Sequence, residues 1–294
     1  LGTNVPNPTQ PLSACTNIMG KTLAQDLTAL FSQGKDKVHV ISDFDGTLTC
    51  EYLDGQKTPS LISILRRSAD YLDSDYQKAA YALYEQYHPI EINPNLPLPE
   101  RKAKMREWWI AHYRLLFKHG LHRHHLDQII NSGFLKFRQG AKDFLKITHT
   151  YDIPVIIFSA SVSGEALKLY CEREGVLFSN LHFLVNDFEW NDAGFAVNYC
   201  EPIITSLNKD ETVLTDFPHL NEQIRHRPNA LLFGNNLGDL GMAKGSKLAR
   251  EVSIALTDPE EGQEKIATLN KEFDHILQSD YVELNSALLQ ILKK

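Results

Sequence analysis

Apolar residues along this chain follow two rhythms. β-Branched side chains alternate through Val38-His39-Val40-Ile41-Ser42, which predicts a short buried strand, and continuous apolar runs recur at Ile153-Pro154-Val155-Ile156-Ile157-Phe158 and over 181–185, 230–233 and 252–256. Such runs, alternating with helix-spaced segments over 141–148 and 165–174, predict parallel strands covered on both faces. Gly175 closes the second of those helices. Between 59 and 135 the rhythm becomes purely helical. Leu61, Leu65, Leu72, Tyr76, Ala79 and Leu83 recur at steps near three, four or seven, and Met105, Trp109, His112 and Leu116 share one face of a run over 100–118. The pattern therefore predicts an α/β protein with a doubly wound, mainly parallel sheet built from 35–58 and 136–294. An all-helical insertion over 59–135 interrupts it, and an irregular arm with a short helix over 1–34 precedes it. A polar hairpin is expected at Asn191-Asp192-Ala193-Gly194, and the stripe Leu284, Leu288, Leu289 and Leu292 predicts a terminal helix on the core.

Composition narrows the function classes. The 294 residues are 43% apolar and 23% charged, as in a globular protein. With 30 basic against 37 acidic residues the net charge is -7, which argues against a nucleic-acid polymer as partner. A small anionic ligand needs locally focused positive charge or a metal. Cys15, Cys50, Cys171 and Cys200 are scattered and form no Cys-x-x-Cys pair, so neither a zinc knuckle nor a disulfide framework is expected. No apolar run reaches membrane-span length and the first ten residues are polar. A cytoplasmic monomer without membrane contact is the expectation.

In a doubly wound sheet ligands sit beyond the carboxyl ends of the strands, so the residues that follow each apolar run carry the chemistry. After the first strand come Asp43, Asp45 and Thr47, with Gly46 freeing the second carboxylate to swing away from the first. One acid can accept a phosphoryl group while the other protonates a leaving alcohol, although a solvated turn uses the same residue types. After the second run come Ser159, Ala160 and Ser161 at a helix start, suited to phosphate oxygens or to a plain N-cap. Gly234-Asn235-Asn236-Leu237-Gly238-Asp239 offers oxygens to a hard cation, and Lys209 offers a charge that a solvated surface lysine would also carry.

Taken in order, these four sites resemble the haloacid dehalogenase superfamily of phosphotransferases. Six blocks tighten the likeness: Ile41-Ser42-Asp43-Phe44-Asp45, Pro89-Ile90-Glu91-Ile92-Asn93-Pro94, Glu107-Trp108-Trp109, Ile157-Phe158-Ser159-Ala160, Asn208-Lys209 and Gly238-Asp239-Leu240 with Met242-Ala243. They resemble the cytosolic 5′-nucleotidase type III (pyrimidine 5′-nucleotidase) family from about residue 38 to the C-terminus. The resemblance implies a Rossmann-like catalytic core with a helical cap and Mg²⁺-dependent hydrolysis of nucleoside 5′-monophosphates. It implies Asp43 as nucleophile, Asp45 as general acid/base, and Thr47, Ser159, Ala160 and Lys209 on the phosphate. Asp43, Asp45, Asn235 and Asp239 would serve the metal, and Glu91, Trp108 and Trp109 the base.

One position departs from the family pattern, which has Asp where this chain has Asn235. An amide offers oxygen without charge, so weaker Mg²⁺ binding is expected. A natural active variant, an engineered substitution that stalls turnover and a nucleotide binder without turnover compete as explanations. A phosphatase of another small metabolite on the same fold is a further alternative. Trp109 resembles the branch that also cleaves 7-methylguanosine monophosphate, whose cationic base suits a Trp face and a carboxylate, so the base is open between pyrimidine and 7-methylguanine. Buried tryptophans also serve simply as core. His119, His122, His124 and His125 read as a solvated helix junction rather than a metal site.

Overall fold

The computed structural model describes residues 21–293 apart from 162, 211, 212, 214–216 and 245–247. The arm expected over 1–20, with Cys15, lies outside the described residues. Helix α1 (Leu23–Leu30) follows, capped by Thr22, whose side chain accepts from the Gln25 N–H while Gln25 reciprocates. Its buried Leu23, Leu27 and Leu30 recur at helical spacing and dock it on the core.

Strand β1 (Val38–Ser42) is buried throughout. A two-strand hairpin, β2 (Tyr52–Leu53) and β3 (Gln56–Lys57), follows, then four helices: α2 (Leu61–Arg67), α3 (Ser74–Glu91), α4 (Leu98–Lys118) and α5 (Arg123–Ile130). Thus the segment expected to be helical carries no strand among its described residues. Tyr87, Met105 and Trp108 form a small apolar cluster of their own between α3 and α4. The chain returns through α6 (Ala141–Thr150), β4 (Val155–Phe158), α7 (Gly164–Arg173) and β5 (Leu181–Leu184). The expected hairpin is β6 (Phe188–Trp190) with β7 (Ala196–Tyr199), and it leans on α4 through Tyr113, whose ring meets Phe188 edge-on at 5.1 Å. Then come α8 (Pro218–Ile224), β8 (Asn229–Gly234), a 3₁₀ turn at Leu237–Ala243, β9 (Arg250–Thr257), α9 (Gln263–Glu272), β10 (His275–Gln278) and α10 (Val282–Leu292).

The main sheet runs β10-β9-β8-β1-β4-β5, and every pairing in it is parallel. Alternation along each strand feeds two layers. Val40, Val155, Ile157, Leu231 and Phe233 join one apolar cluster, while Ile41, Ile156, Phe158, Ala230 and Leu232 join the other. From β1 the chain builds outward first through β4 and β5, then on the opposite side through β8, β9 and β10. The strand order therefore reverses at β1, and a crevice opens beyond its carboxyl end, where Asp43 stands.

Candidate active site

The turn after β1 sets the two acids. Leu48 and Thr49 both return their N–H groups to the Phe44 carbonyl, and Gly46 takes φ 72°. A Cβ there would lie 2.1 Å from Asn235 Nδ2, so only glycine permits the approach. Asp43 and Asp45 then line one cavity of about 310 Å³ together with Ser159, Ala160 and Lys209. Glu91, Trp108 and Trp109, contributed by α3 and α4, line the same cavity.

Lys209 is buried and bridges two loops, with Nζ 2.5 Å from Asp43 Oδ1 and 3.3 Å from Asp239 Oδ1. Burial alone would lower its pKa, but Asp43 and then Asp239 outweigh that and raise it, so the ammonium persists. Asp43 is pushed up to about 7, first by burial and then by Asp239 and Asp45, against the pull of Lys209. Asp45 is raised by burial to about 6. Asp239 stands behind the cavity rather than on its wall. Its Oδ2 accepts from the Asn235 and Asn236 N–H groups, each at 3.0 Å, which fixes the loop after β8. Gly234 makes room for this, since a Cβ there would meet Asp239 Cβ at 2.4 Å.

Ser159 Oγ accepts from the Ser161 N–H at 3.1 Å, and the Ser161 hydroxyl, also on the cavity wall, is buried without a partner among the described residues. Trp108 Nε1 and Trp109 Nε1 are likewise buried donors without an acceptor there. Unsatisfied buried donors around a cavity mark a place where a ligand completes the hydrogen bonding. Glu91 accepts from Ser206 Oγ and lies 3.0 Å from His88 Nδ1.

Thr47, expected on the phosphate, does not line the cavity. The 44–49 turn rolls it inward, where its hydroxyl is buried without a partner among the described residues and its carbonyl accepts from Tyr281 at 3.2 Å. The histidine cluster lies at the junction of α4 and α5, as expected, with His124 exposed, but one member is not solvated. His125 is buried, and its Nδ1 accepts from the His122 N–H, so the pair caps α5. Arg66, Tyr84 and Ser206 line the cavity without having been singled out in sequence, and His112, expected only on a helix face, joins them. No local motif marks them, because packing of α2, α3 and α4 delivers Arg66, Tyr84 and His112, and a turn after β7 delivers Ser206.

For a cation, Asp43, Asp45 and Asn235 offer hard oxygens. Among the described residues no three His, Cys, Asp or Glu side chains converge as a metal cluster. Asp239 and Asp45 each act on buried Asp43, and Lys209 is the cation that joins Asp43 to Asp239. This excess of buried negative charge suits a divalent ion that keeps part of its water.

Comparison with known proteins agrees with the geometry. The chain is 30% identical over 254 residues to 7-methylguanosine phosphate-specific 5′-nucleotidase of Gallus gallus, covering 86% of this chain and 87% of that protein. The Homo sapiens 7-methylguanosine phosphate-specific 5′-nucleotidase is 31% identical over 217 residues, 74% of this chain and 71% of that one. Among solved structures, cytosolic 5′-nucleotidase IIIB bound to cytidine superposes with a TM-score of 0.79 at 24% identity, covering 92% and 90% of the two chains. A substrate-bound phosphoserine phosphatase gives a TM-score of 0.51 at 14% identity, over 85% of this chain and 97% of that one, a likeness of fold. The profile described as pyrimidine 5′-nucleotidase (UMPH-1) matches residues 46–293, and the chain belongs to that family.

Proposed function

We propose that this chain hydrolyses nucleoside 5′-monophosphates, with a pyrimidine or 7-methylguanine base, through a phosphorylated Asp43. The observation that supports it most is one cavity lined at once by Asp43, Asp45, Lys209 and Ser159 and by Trp108, Trp109 and Glu91. Asp43 attacks phosphorus as the bond to the nucleoside oxygen breaks, and Asp45, raised by burial to about 6, gives that oxygen its proton. Water then attacks the aspartyl phosphate, Asp45 takes its proton, and the bond from phosphorus to Asp43 breaks to release inorganic phosphate. Lys209 and Ser159 hold the phosphoryl oxygens through this exchange. Asp43, Asp45 and Asn235 would hold Mg²⁺, with Asp239 supporting the loop, and the ion would neutralise charge on the transferring group. The helices over 59–135 act as a cap that carries the base contacts. The reading keeps a cytoplasmic monomer.

A second reading, nucleotide binding without turnover, is favoured by one observation. Asn235 brings no charge and spends its amide N–H on Glu51. Phosphate release from UMP, CMP and 7-methylguanosine monophosphate at high Mg²⁺, read alongside calorimetric binding, separates the two. Release from at least one nucleotide, with acid-stable label on the Asp43 peptide after quenching, is expected. Tight binding with no release selects the second reading, and no binding and no release, with Asn235→Asp included, overturns both.

A further inference from the structure

The family reading leaves one buried charge unused. Arg66, near the end of α2, is 8% exposed and pairs with no carboxylate among the described residues. Its guanidinium lies 4.3 Å from the Tyr84 ring centroid and 5.4 Å from that of Tyr81, and one Nη donates to Ser63 Oγ at 3.1 Å. Its Nε has no partner among the described residues, and burial pushes its pKa down. A cation buried without an acid is costly unless an anion arrives. The two tyrosines and Ser63 hold the planar group ready.

Arg66 stands where two cavities meet. One is the site described above. The other, about 370 Å³, reaches from Asp45 and Asn236 toward Thr58, Ser60, Lys57 and Arg67. Glu51 also lines it, but Lys57 and Lys265 pair with that carboxylate at 2.8 and 3.2 Å. The second cavity therefore offers the hydroxyls of Thr58, Ser60 and Ser63 and the cation of Arg67 beside Arg66, along with Asp45 and Tyr84, and the transferred phosphoryl group at Asp43 already has Lys209.

We infer that Arg66 receives a second phosphate of the substrate, so that a nucleoside with a further phosphate on its ribose is preferred over the simple monophosphate. The inference rests on the nucleotide reading of the same site and adds a substrate class to it. Only the 5′-ester is cleaved, and the second phosphate is a handle that leaves with the product.

The test compares cytidine 5′-monophosphate with cytidine 3′,5′-bisphosphate, in turnover and in calorimetric binding to the Asp43→Asn chain. The wild type is expected to favour the bisphosphate by about tenfold in kcat/KM, about 1.4 kcal/mol. Arg66→Met should bring the ratio close to one, and Arg66→Lys should recover part of it. A wild-type ratio of one or less overturns the inference. So does an Arg66→Met chain that loses both substrates equally, because Arg66 would then serve the transferred phosphoryl group. If neither compound is hydrolysed, the binding ratio in the Arg66 variants still decides this inference, and a bisphosphate that binds no better than the monophosphate overturns it while leaving the hydrolase reading to its own nucleotide panel.

Discussion

Asn235 Nδ2 donates to Glu51 Oε2 at 2.9 Å across 184 residues of sequence. The bond fixes which end of the amide faces the loop, leaving Oδ1 to accept from Asn236 Nδ2 at 2.7 Å. Burial would raise Glu51, but hydrogen bonding with Glu261 and Lys57 holds it down to about 2, so it stays ionised against Asn235. The charge missing at 235 thus stands one side chain away.

Restoring an acid at 235 alone therefore brings a second carboxylate against Glu51. Asn235→Asp is expected to lower the melting temperature without metal, and Asn235→Asp with Glu51→Gln should recover most of the loss. The coupling across this double-mutant cycle is expected to be about 1–3 kcal/mol. Thermal unfolding of the four chains, each with and without Mg²⁺, measures it. Additive effects would mean that the two side chains act independently.

The acid/base role of Asp45 gives a kinetic prediction. Asp45→Asn keeps the shape and removes the proton, so turnover should fall by about 10²- to 10⁴-fold. Phosphoenzyme or bound nucleotide should accumulate meanwhile, visible by acid quench. Turnover close to wild type would assign the proton transfer to another group.

The same residue has a cost in stability. Its pKa in the fold is about 6 against an ordinary 3.8, because burial disfavours the charged form. The folded chain therefore holds this proton more tightly than the unfolded chain does. Stability from that difference is present below pH 4 and is lost as pH rises through 6. Asp45→Asn should accordingly melt higher than wild type at pH 8 without metal, with the gap closing toward pH 4. A gap that stays constant with pH would show that deprotonation of Asp45 costs the fold nothing.

Much of the sheet, and the acids at its centre, could be read from sequence because the relevant residues follow apolar strands directly. Asp43, Asp45, Ser159 and Asn235 each sit within a few residues of the end of β1, β4 or β8, where topology alone directs attention. Thr47 was misplaced because a turn closed on one carbonyl rotates it away, and nothing in its neighbours' identities announces that rotation. β10 was missed because only Ile276 and Leu277 are apolar in a four-residue strand that pairs on one side. Helix α5 was hidden by histidines acting as its cap, a place where sequence reasoning expects Ser, Thr, Asp or Asn. Glu51 and Arg66 escaped because their significance lies in partners and cavities assembled over long separations.

Arg138 illustrates the last point and carries the remaining prediction. Its guanidinium meets both Asp258 oxygens at 2.7 Å and also donates to the Gly46 carbonyl at 2.7 Å. The pair is buried and ties the turn holding Asp45 to the loop after β9. Removing one partner strands the other in a low-dielectric interior, which costs about 3–5 kcal/mol. Asp258→Ala should lose that much stability, and surviving folded protein should show reduced kcat more than altered KM, since the Gly46 carbonyl no longer has a fixed anchor. Asp258→Asn, which keeps one acceptor, should lie between. Denaturant titration and steady-state kinetics on the two variants check both parts. A stable Asp258→Ala chain with unchanged kcat would mean that Gly46 is held without Arg138.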